Sequence, residues 1–481
     1  MSKTANLENK DASTLHIPEA YRVESILLQN HNGTVYDLAS IQTDFSITES
    51  IYHAGLILSI NIKDSINFFE KSQLTGQETI TVNLTQGVRG KSDSEEIPIG
   101  TEPEAGINNN KPRTISRMFV VTEYPLYGKI ENRTEVYTIK GVSRHIYLSK
   151  LKKISRAFTG KMSDFIKNTL IEDLGVDELD IVQSKQSSPL VSFIVPNLNP
   201  VDAILWVLRR CYDSHGSPWY CYETLDGKIH IESHMDINAK AKESNINEYS
   251  DGQFFQYASD DPRDFQQRKG RILNLASNIG ISKYLSSING AYASKSVYVN
   301  ISSKKIETLD FDYHAEFSKM AKIGANSTLS NAFFPETRKI IYNPDDPAGI
   351  IFGSALSDFS DANVNYISLN EKSFKNNSNY HSATKNKFIN IANSVNENMQ
   401  FISHDFTIAG DLDFHSGEIV KLLLRSTFKP TNDQNKMDIV ENQKMFSGYY
   451  LITSVVHKFE KQYYCDVRVN TDAYSANVLT A

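Results

Sequence analysis

Asp411, Asp413, His415 and Glu418 crowd into one short stretch, and carboxylate oxygens with an imidazole nitrogen at that density are donors a divalent metal could use. A turn that leads into a strand draws on the same Asp, Gly and Ser. Neither a Gly-anchored calcium loop nor a second ligand cluster accompanies these residues, so a turn is the expected role. Cys211 and Cys221 have no CxxC partners and are expected to be small buried apolar side chains, not zinc ligands. His457 lies between Val456 and Lys458 in a strand pattern, where its ring falls on one pleat face and could act as a general base. Nothing near it completes a triad, and GxSxG, HExxH, Walker and GxGxxG motifs do not occur, so a cross-strand or interface histidine is expected. Arg144, Lys150, Lys152, Lys153, Arg156 and Lys161, with Tyr147 and Phe158 interleaved, could touch nucleic acid. An amphipathic helix also needs a polar face opposite Leu151 and Ile154, so a solvated face or an acidic protein partner is the reading adopted. Arg263, Arg268, Lys269 and Arg271 are read the same way. No catalytic, cofactor-binding or metal residue is assigned, no cofactor is expected, and the chain is read as a non-enzyme.

These residues need a scaffold, and composition bounds it. A chain of 481 residues exceeds what one core serves, which predicts two to four domains. With 40% apolar and 22% charged residues it is of ordinary globular composition. Its 24 Tyr and 24 Phe against 2 Trp favour pleated, half-buried surfaces and lean the expectation toward strands. A net charge of -7 argues against holding nucleic acid by phosphate neutralisation, although a passive conduit is compatible with it. Three cysteines cannot staple the fold, which points to a reducing compartment during assembly. The start MSKTANLENKDASTLH has no apolar core, and nowhere do about twenty apolar residues run together, so neither a signal peptide nor a membrane span is expected.

Residues 1–20 are polar and aperiodic and are read as an N-terminal arm. A hairpin follows, with runs Val23 to Leu28 and Val35 to Leu38 about the pair Asn32-Gly33. Leu56, Leu58, Ile60 and Ile62 alternate with polar residues, as do Ile80, Val82 and Leu84. A long loop is expected from Gln86 to Arg113, with strands resuming at Met118 to Thr122 and Val136 to Ile139. Residues 21–143 are thus one antiparallel β-barrel or sandwich domain. Residues 144–245 form a small α/β domain. Tyr147, Leu151, Ile154 and Phe158 predict one helix. Ser163 caps a second that carries Ile166, Leu170 and Leu174 and ends at Gly175. Asn199-Pro200 starts a third that buries Val201, Ile204, Leu205 and Leu208, before a hairpin at Asp226-Gly227. Residues 246–400 read as the first part of a second β domain plus an insertion and carry the weakest patterning. Residues 401–481 complete that domain, with Glu418 to Arg425 beside the hairpin Tyr449 to Phe459 and Tyr463 to Val469.

The segments GDLDFHSGEIVKL (Gly410 to Leu422) and SGYYLITSVVHKFEKQYYCDVRVNTDA (Ser447 to Ala473) resemble the C-terminal end of baseplate hub proteins of T-even-like contractile-tailed bacteriophages. The resemblance implies an α+β, mainly β chain. It has two tail-tube-like antiparallel β domains, a small α/β domain between them and an insertion in the second. It also implies a homotrimer whose two tube-like domains per chain make a pseudo-sixfold ring. Its partners would be a central spike protein, tail-tube or tube-initiator proteins and other baseplate wedge proteins. Genomic DNA would pass only in transit, and the protein would belong to the virion tail baseplate, assembled in the host cytoplasm. The chain looks long for the family, with 86–113 and about 315–385 as insertions. Two alternatives stand beside this: the hub of a contractile injection or type VI-like secretion particle, and a cell-wall hydrolase acting in envelope penetration. A glycosidase carboxylate pair obeys no sequence spacing rule.

Overall fold

The computed structural model describes residues 21–86, 113–130, 134–185, 188, 190–243, 246–250, 270–279, 283–301, 304–323, 341–342, 350–351, 361, 363–369, 388–424 and 446–473. The N-terminal part comprises β1 (Tyr21–Gln29), β2 (Val35–Asp37), β3 (Gln42–Ser50), β4 (Ile57–Asp64), helix α1 (Phe68–Lys71), β5 (Thr79–Gln86), β6 (Arg113–Glu123), β7 (Tyr127–Ile130) and β8 (Thr134–Ser143). Period-two patterning drives these strands. Leu58, Ile60 and Ile62 of β4 and Ile80, Val82 and Leu84 of β5 are buried while alternate residues face outward. The β1–β2 turn takes its left-handed residue at Gly33, with φ +82°. Asn30 accepts from the N–H of both Asn32 and Thr34, so the side chain before the expected Asn-Gly pair sets the turn. Gln86 and Arg113 pair directly; the loop expected between them lies outside the described residues.

The middle part holds α2 (Arg144–Lys150), β9 (Ala157–Lys161), α3 (Met162–Asn168), β10 (Ile181–Gln183), β11 (Leu190–Ile194), α4 (Pro200–Leu208), β12 (Trp219–Glu223), β13 (Ile229–Ser233) and α5 (His234–Glu243). Three sequence expectations are corrected here. The helix expected to run through Phe158 stops at Lys150. Ile154 bridges to Leu198, and Phe158 sits on β9 opposite Phe193 of β11, so its spacing from Tyr147 reflects cross-strand packing. Ser163 does not cap α3, which begins at Met162. Its N–H instead donates to Ser188 Oγ at 3.0 Å. On α4 the buried face carries Val201, Ala203, Ile204 and Val207, while Leu205 is 37% exposed. Gly175 has φ +67°, the left-handed geometry that closes a helix.

The remaining elements are β14 (Glu248–Ser250), β15 (Ile272–Ile279), α6 (Lys283–Ile288), β16 (Ala293–Asn300), β17 (Lys305–Asp312), α7 (Tyr313–Glu316), β18 (Ile341–Tyr342), β19 (Ile350–Ile351), β20 (Val364–Leu369), α8 (Phe388–Asn398), β21 (Ile402–Ala409), β22 (Ile419–Leu423), β23 (Gly448–Phe459) and β24 (Tyr463–Thr471). The protein is mainly β, with large antiparallel sheets. A 14-stranded sheet runs β15-β21-β24-β23-β3-β4-β8-β6-β5-β1-β2, with β22 beside β23, β14 beside β22 and β7 beside β8. Pairing is not uniformly antiparallel: β14–β22, β10–β13 and β16–β20 are parallel.

The link between the two ends of the chain is β23. Its first residues pair with β22 and its last six, Ser454 to Phe459, pair with Ser50 to Phe45 of β3. A register shift between Ile452 and Ser454 marks the changeover, as a bulge that bends a strand toward a new neighbour does. Thr453 supplies the tie, its carbonyl accepting from Ile51 N–H at 3.1 Å and Ser50 Oγ at 3.0 Å. One apolar core therefore includes residues from both chain ends, from Ile26 and Phe45 to Phe459 and Val469.

Candidate functional site

Glu49 of β3 follows Phe45 and Ile47 on the same inward pleat face and is fully buried. Its Oε2 accepts from Leu225 N–H at 3.0 Å and its Oε1 from Ser416 N–H at 3.2 Å. His457 Nε2 stands 3.2 Å from Oε1, and His415 Nδ1 stands 3.5 Å from it. Behind His457, the Tyr463 hydroxyl lies 2.7 Å from Nδ1 and Cys465 Sγ 3.4 Å from it. His457, Tyr463 and Cys465 are all 0% exposed. One carboxylate thus ties β3, the β12–β13 hairpin, the turn before β22 and the β23–β24 hairpin.

Burial pushes the Glu49 carboxyl up, but the positive charges and hydrogen bonds of His415 and His457 outweigh it and hold it at about 2. Burial pushes His457 down, and Cys465 and Glu49 beside it raise it to about 10. His415 is likewise raised, its burial outweighed by Glu49, with Asp226 and Glu418 adding. Elsewhere burial drives two histidines the other way: His234 and His404 are both lowered to about 4. Stability contributed by His457 is complete below 6.5 and is lost as pH rises through 10. Neutral His234 and His404 favour the fold above 6.5 and cost stability as pH falls toward 4, and the Glu49 contribution is lost below 4.5 as pH falls through 2. Thermal unfolding across a pH series is expected to show its highest Tm near pH 6.5, declining on both sides. A Tm that climbs steadily to pH 9 would contradict this placement of charge.

The four residues singled out as a ligand cluster divide between different tasks. Asp411 Oδ1 accepts from Asp413 N–H at 3.1 Å and from Arg113 at 3.3 Å, and Asp413 pairs with Arg113 as well. His415 turns to Glu49, and the Glu418 carbonyl accepts from Ile452 N–H at 2.8 Å. Among the described residues no group of three or more His, Cys, Asp or Glu is placed to hold a metal ion. Cys211 and Cys221 are free, buried thiols in the core with Trp219, Ile229 and Ile231. Burial pushes Cys211 well up and Cys221 to about 12.

The basic stretch is not one helix face, because the helix ends at Lys150. Lys150 faces Asp202 at 3.5 Å, Lys152 donates to the Asp173 carbonyl at 2.5 Å, and Arg156 pairs with Asp173 at 2.8 Å and Glu172 at 3.5 Å. Arg271 is exposed; Arg263, Arg268 and Lys269 lie outside the described residues. An open cleft of about 430 Å³ lined by Arg113, Arg117, Asp226 and Asp413 lies beside the seam. Arg117 closes its inner side, donating to the Leu225 carbonyl at 2.7 Å.

Sequence reasoning missed Glu49 as the centre of this cluster. The signal was a carboxylate at the inward position of the alternating run Phe45, Ile47, Glu49, where an apolar residue belongs.

The main path of the great sheet ends at β2 and β15, and among the described residues the side strands β7 and β14 also pair along one edge only. Among the described residues β2 pairs only with β1, and β15 only with β21. On β15, Leu273 is 47% exposed, and Ala276, Ser277 and Asn278 are exposed.

No protein-family model matches the sequence, and no curated protein matches it. Among solved structures it is similar to the 43 kDa tail protein of prophage MuSo2 from Shewanella oneidensis. Identity is 9%, with 95% of this chain and 100% of that one covered, at a TM-score of 0.46. A tail protein from Neisseria meningitidis MC58 matches at 8% identity over 95% of this chain and 98% of its own, TM-score 0.45. A component of the E. coli type VI secretion system, described as structurally similar to T4 bacteriophage tail proteins, matches at 7% identity over 96% and 79%, TM-score 0.40. These neighbours are tail and secretion-system proteins, and at TM-scores below 0.5 the likeness assigns no activity or partner to this chain.

Proposed function

We propose that the protein is a structural baseplate hub subunit. Three copies would form a pseudo-sixfold ring that connects a central spike to the tail tube and lines part of the channel for DNA ejection. The observation that carries this reading is the sheet itself: chain start and chain end are fused through β3–β23, and among the described residues the terminal strands β2 and β15 each pair along one edge only. Unpaired strand edges invite association, and copies arranged about a closed symmetry axis satisfy them without open-ended growth. The C-terminal segments that resemble T-even-like hubs supply β22, β23 and β24, the strands that build the junction.

Sedimentation or light scattering of the purified protein, alone and co-expressed with a cognate spike protein, tests the assembly. A discrete species near three times 54.3 kDa is expected in at least the co-expressed sample, with a central hole by electron microscopy. A monomer under both conditions would sink the proposal. A conduit should not grip DNA, since each neutralised phosphate releases counterions and adds affinity. The charge pairing of Lys150 and Arg156 with carboxylates of the same chain, and the donation of Lys152 to the Asp173 carbonyl, fit that requirement. Anisotropy of labelled duplex DNA at about 0.15 M salt is expected to stay flat up to protein concentrations on the order of 100 µM. Saturable micromolar binding, or a lumen lined continuously by Lys and Arg, would contradict the conduit role.

A further inference from the structure

We infer that Glu49 is the latch of a built-in joint: its charge holds the β3–β23 ladder and the α/β hairpin together, and its neutralisation lets that joint open while the sheets on either side persist. The inference goes beyond the assembly reading and stands on the geometry of the single chain. Among the described residues, β3–β23 is the one strand ladder between β1–β8 and the strands from β14 to β24. It spans six registered pairs, a short seam inside a much larger sheet.

Polar groups from three other parts of the chain converge on Glu49 at that seam. His457 reaches it from β23, with Tyr463 and Cys465 of β24 behind it. His415 and the Ser416 N–H come from the turn before β22, and the Leu225 N–H comes from the β12–β13 turn. Asp226 and Glu418 face His415, and Tyr222 of β12 lies within electrostatic reach of Glu49. Without the Glu49 charge, protonated His457 loses its counterion, and because one of the two carboxylate oxygens becomes a donor, either the Leu225 N–H on Oε2 or the Ser416 N–H and His457 on Oε1 lose their acceptor. The other side of the seam is strapped separately. Gln86 donates to the Gly410 carbonyl at 2.7 Å and accepts from Leu412 N–H at 2.9 Å, and Arg113 pairs with Asp411 and Asp413. These ties are made by residues other than those that hydrogen-bond Glu49 and serve as an internal control.

Hydrogen exchange by mass spectrometry on the full chain, near pH 6 to 7, tests this with Glu49→Gln and His415→Gln against the parent. Glu49→Gln is expected to speed exchange at least about tenfold in peptides covering 45–50, 415–417, 224–227 and 454–459. Peptides of β5, β6 and 410–412 should change little, and His415→Gln should show the same pattern more weakly. Should Glu49→Gln not fold, the parent chain in sub-denaturing urea gives the answer. The seam amides should open as a unit of lower free energy than β5 and β6. Uniform acceleration across the sheet, an unchanged seam, or seam amides that exchange only with global unfolding would each overturn the inference.

Discussion

Glu49→Ala should lower the free energy of unfolding by about 3–5 kcal/mol, the cost of removing one member of a buried ion pair and leaving the other uncompensated. The reason lies in what remains behind. His457, 0% exposed and raised to about 10 by its neighbours, must keep a charge without a counterion or give up its proton at neutral pH. Leu225 and Ser416 N–H lose their acceptors, each a further desolvation cost. The matched control is Glu24, whose pair with Arg22 at 3.3 Å is exposed; its alanine variant should change stability by less than about 1 kcal/mol. Chemical denaturation of both variants decides the matter. Equal effects would mean that Glu49 carries no more weight than a surface charge, and the cluster would lose its significance.

Gly417→Ala is expected to cost about 2–6 kcal/mol through two separable causes. Gly417 has φ +86°, and a non-glycine residue held in that left-handed region costs on the order of 1–3 kcal/mol. A Cβ there would also stand 2.0 Å from the hydroxyl oxygen of Tyr222. Tyr222 has no room to retreat. It is 2% exposed, stacks on His230 with centroids 5.0 Å apart, and reaches Glu232 at 3.4 Å. Overpacking of such a site adds about 1–3 kcal/mol. Gly76 separates the two causes, since its φ is +84° with nothing within 4 Å of the added carbon. Gly76→Ala should pay the backbone cost alone, so the difference between the two melting shifts measures the clash. Identical shifts would mean that Tyr222 is not fixed as described.

The strands that alternate were legible before any coordinates: β4, β5 and β24 fall where their apolar period places them, and β22 and β23 fall at the expected neighbouring strand and first limb of the last hairpin. Residues 241–400 were not legible, and the contacts there give the reason. The buried face of β16 presents Ser294 and Ser296 to α8, where Asn390 donates to Ser294 Oγ at 2.7 Å and accepts from Ser296 Oγ at 2.5 Å. Ser394 donates to the Ala291 carbonyl at 2.5 Å. A helix and a strand that meet through serine and asparagine carry little apolar period for a sequence reading to find. The helix read through Phe158 failed for a related reason, because a spacing of three and four residues coincided with a strand whose phenylalanine needed Phe165 and Phe193.

For the seam, the sequence alone determined that His457 and Tyr463 to Val469 form the last hairpin and that Asp411 to Glu418 make a turn, while the alternation of Phe45, Ile47 and Glu49 was present in it but not singled out. Those are consequences of local period and turn chemistry. Only the tertiary structure decided that Glu49 meets His457, His415, Leu225 and Ser416, because hydrogen bonding between positions 176 to 408 residues apart follows from which strand edge pairs with which. That choice is made by the summed burial of two whole sheets and leaves no mark on the few residues that touch.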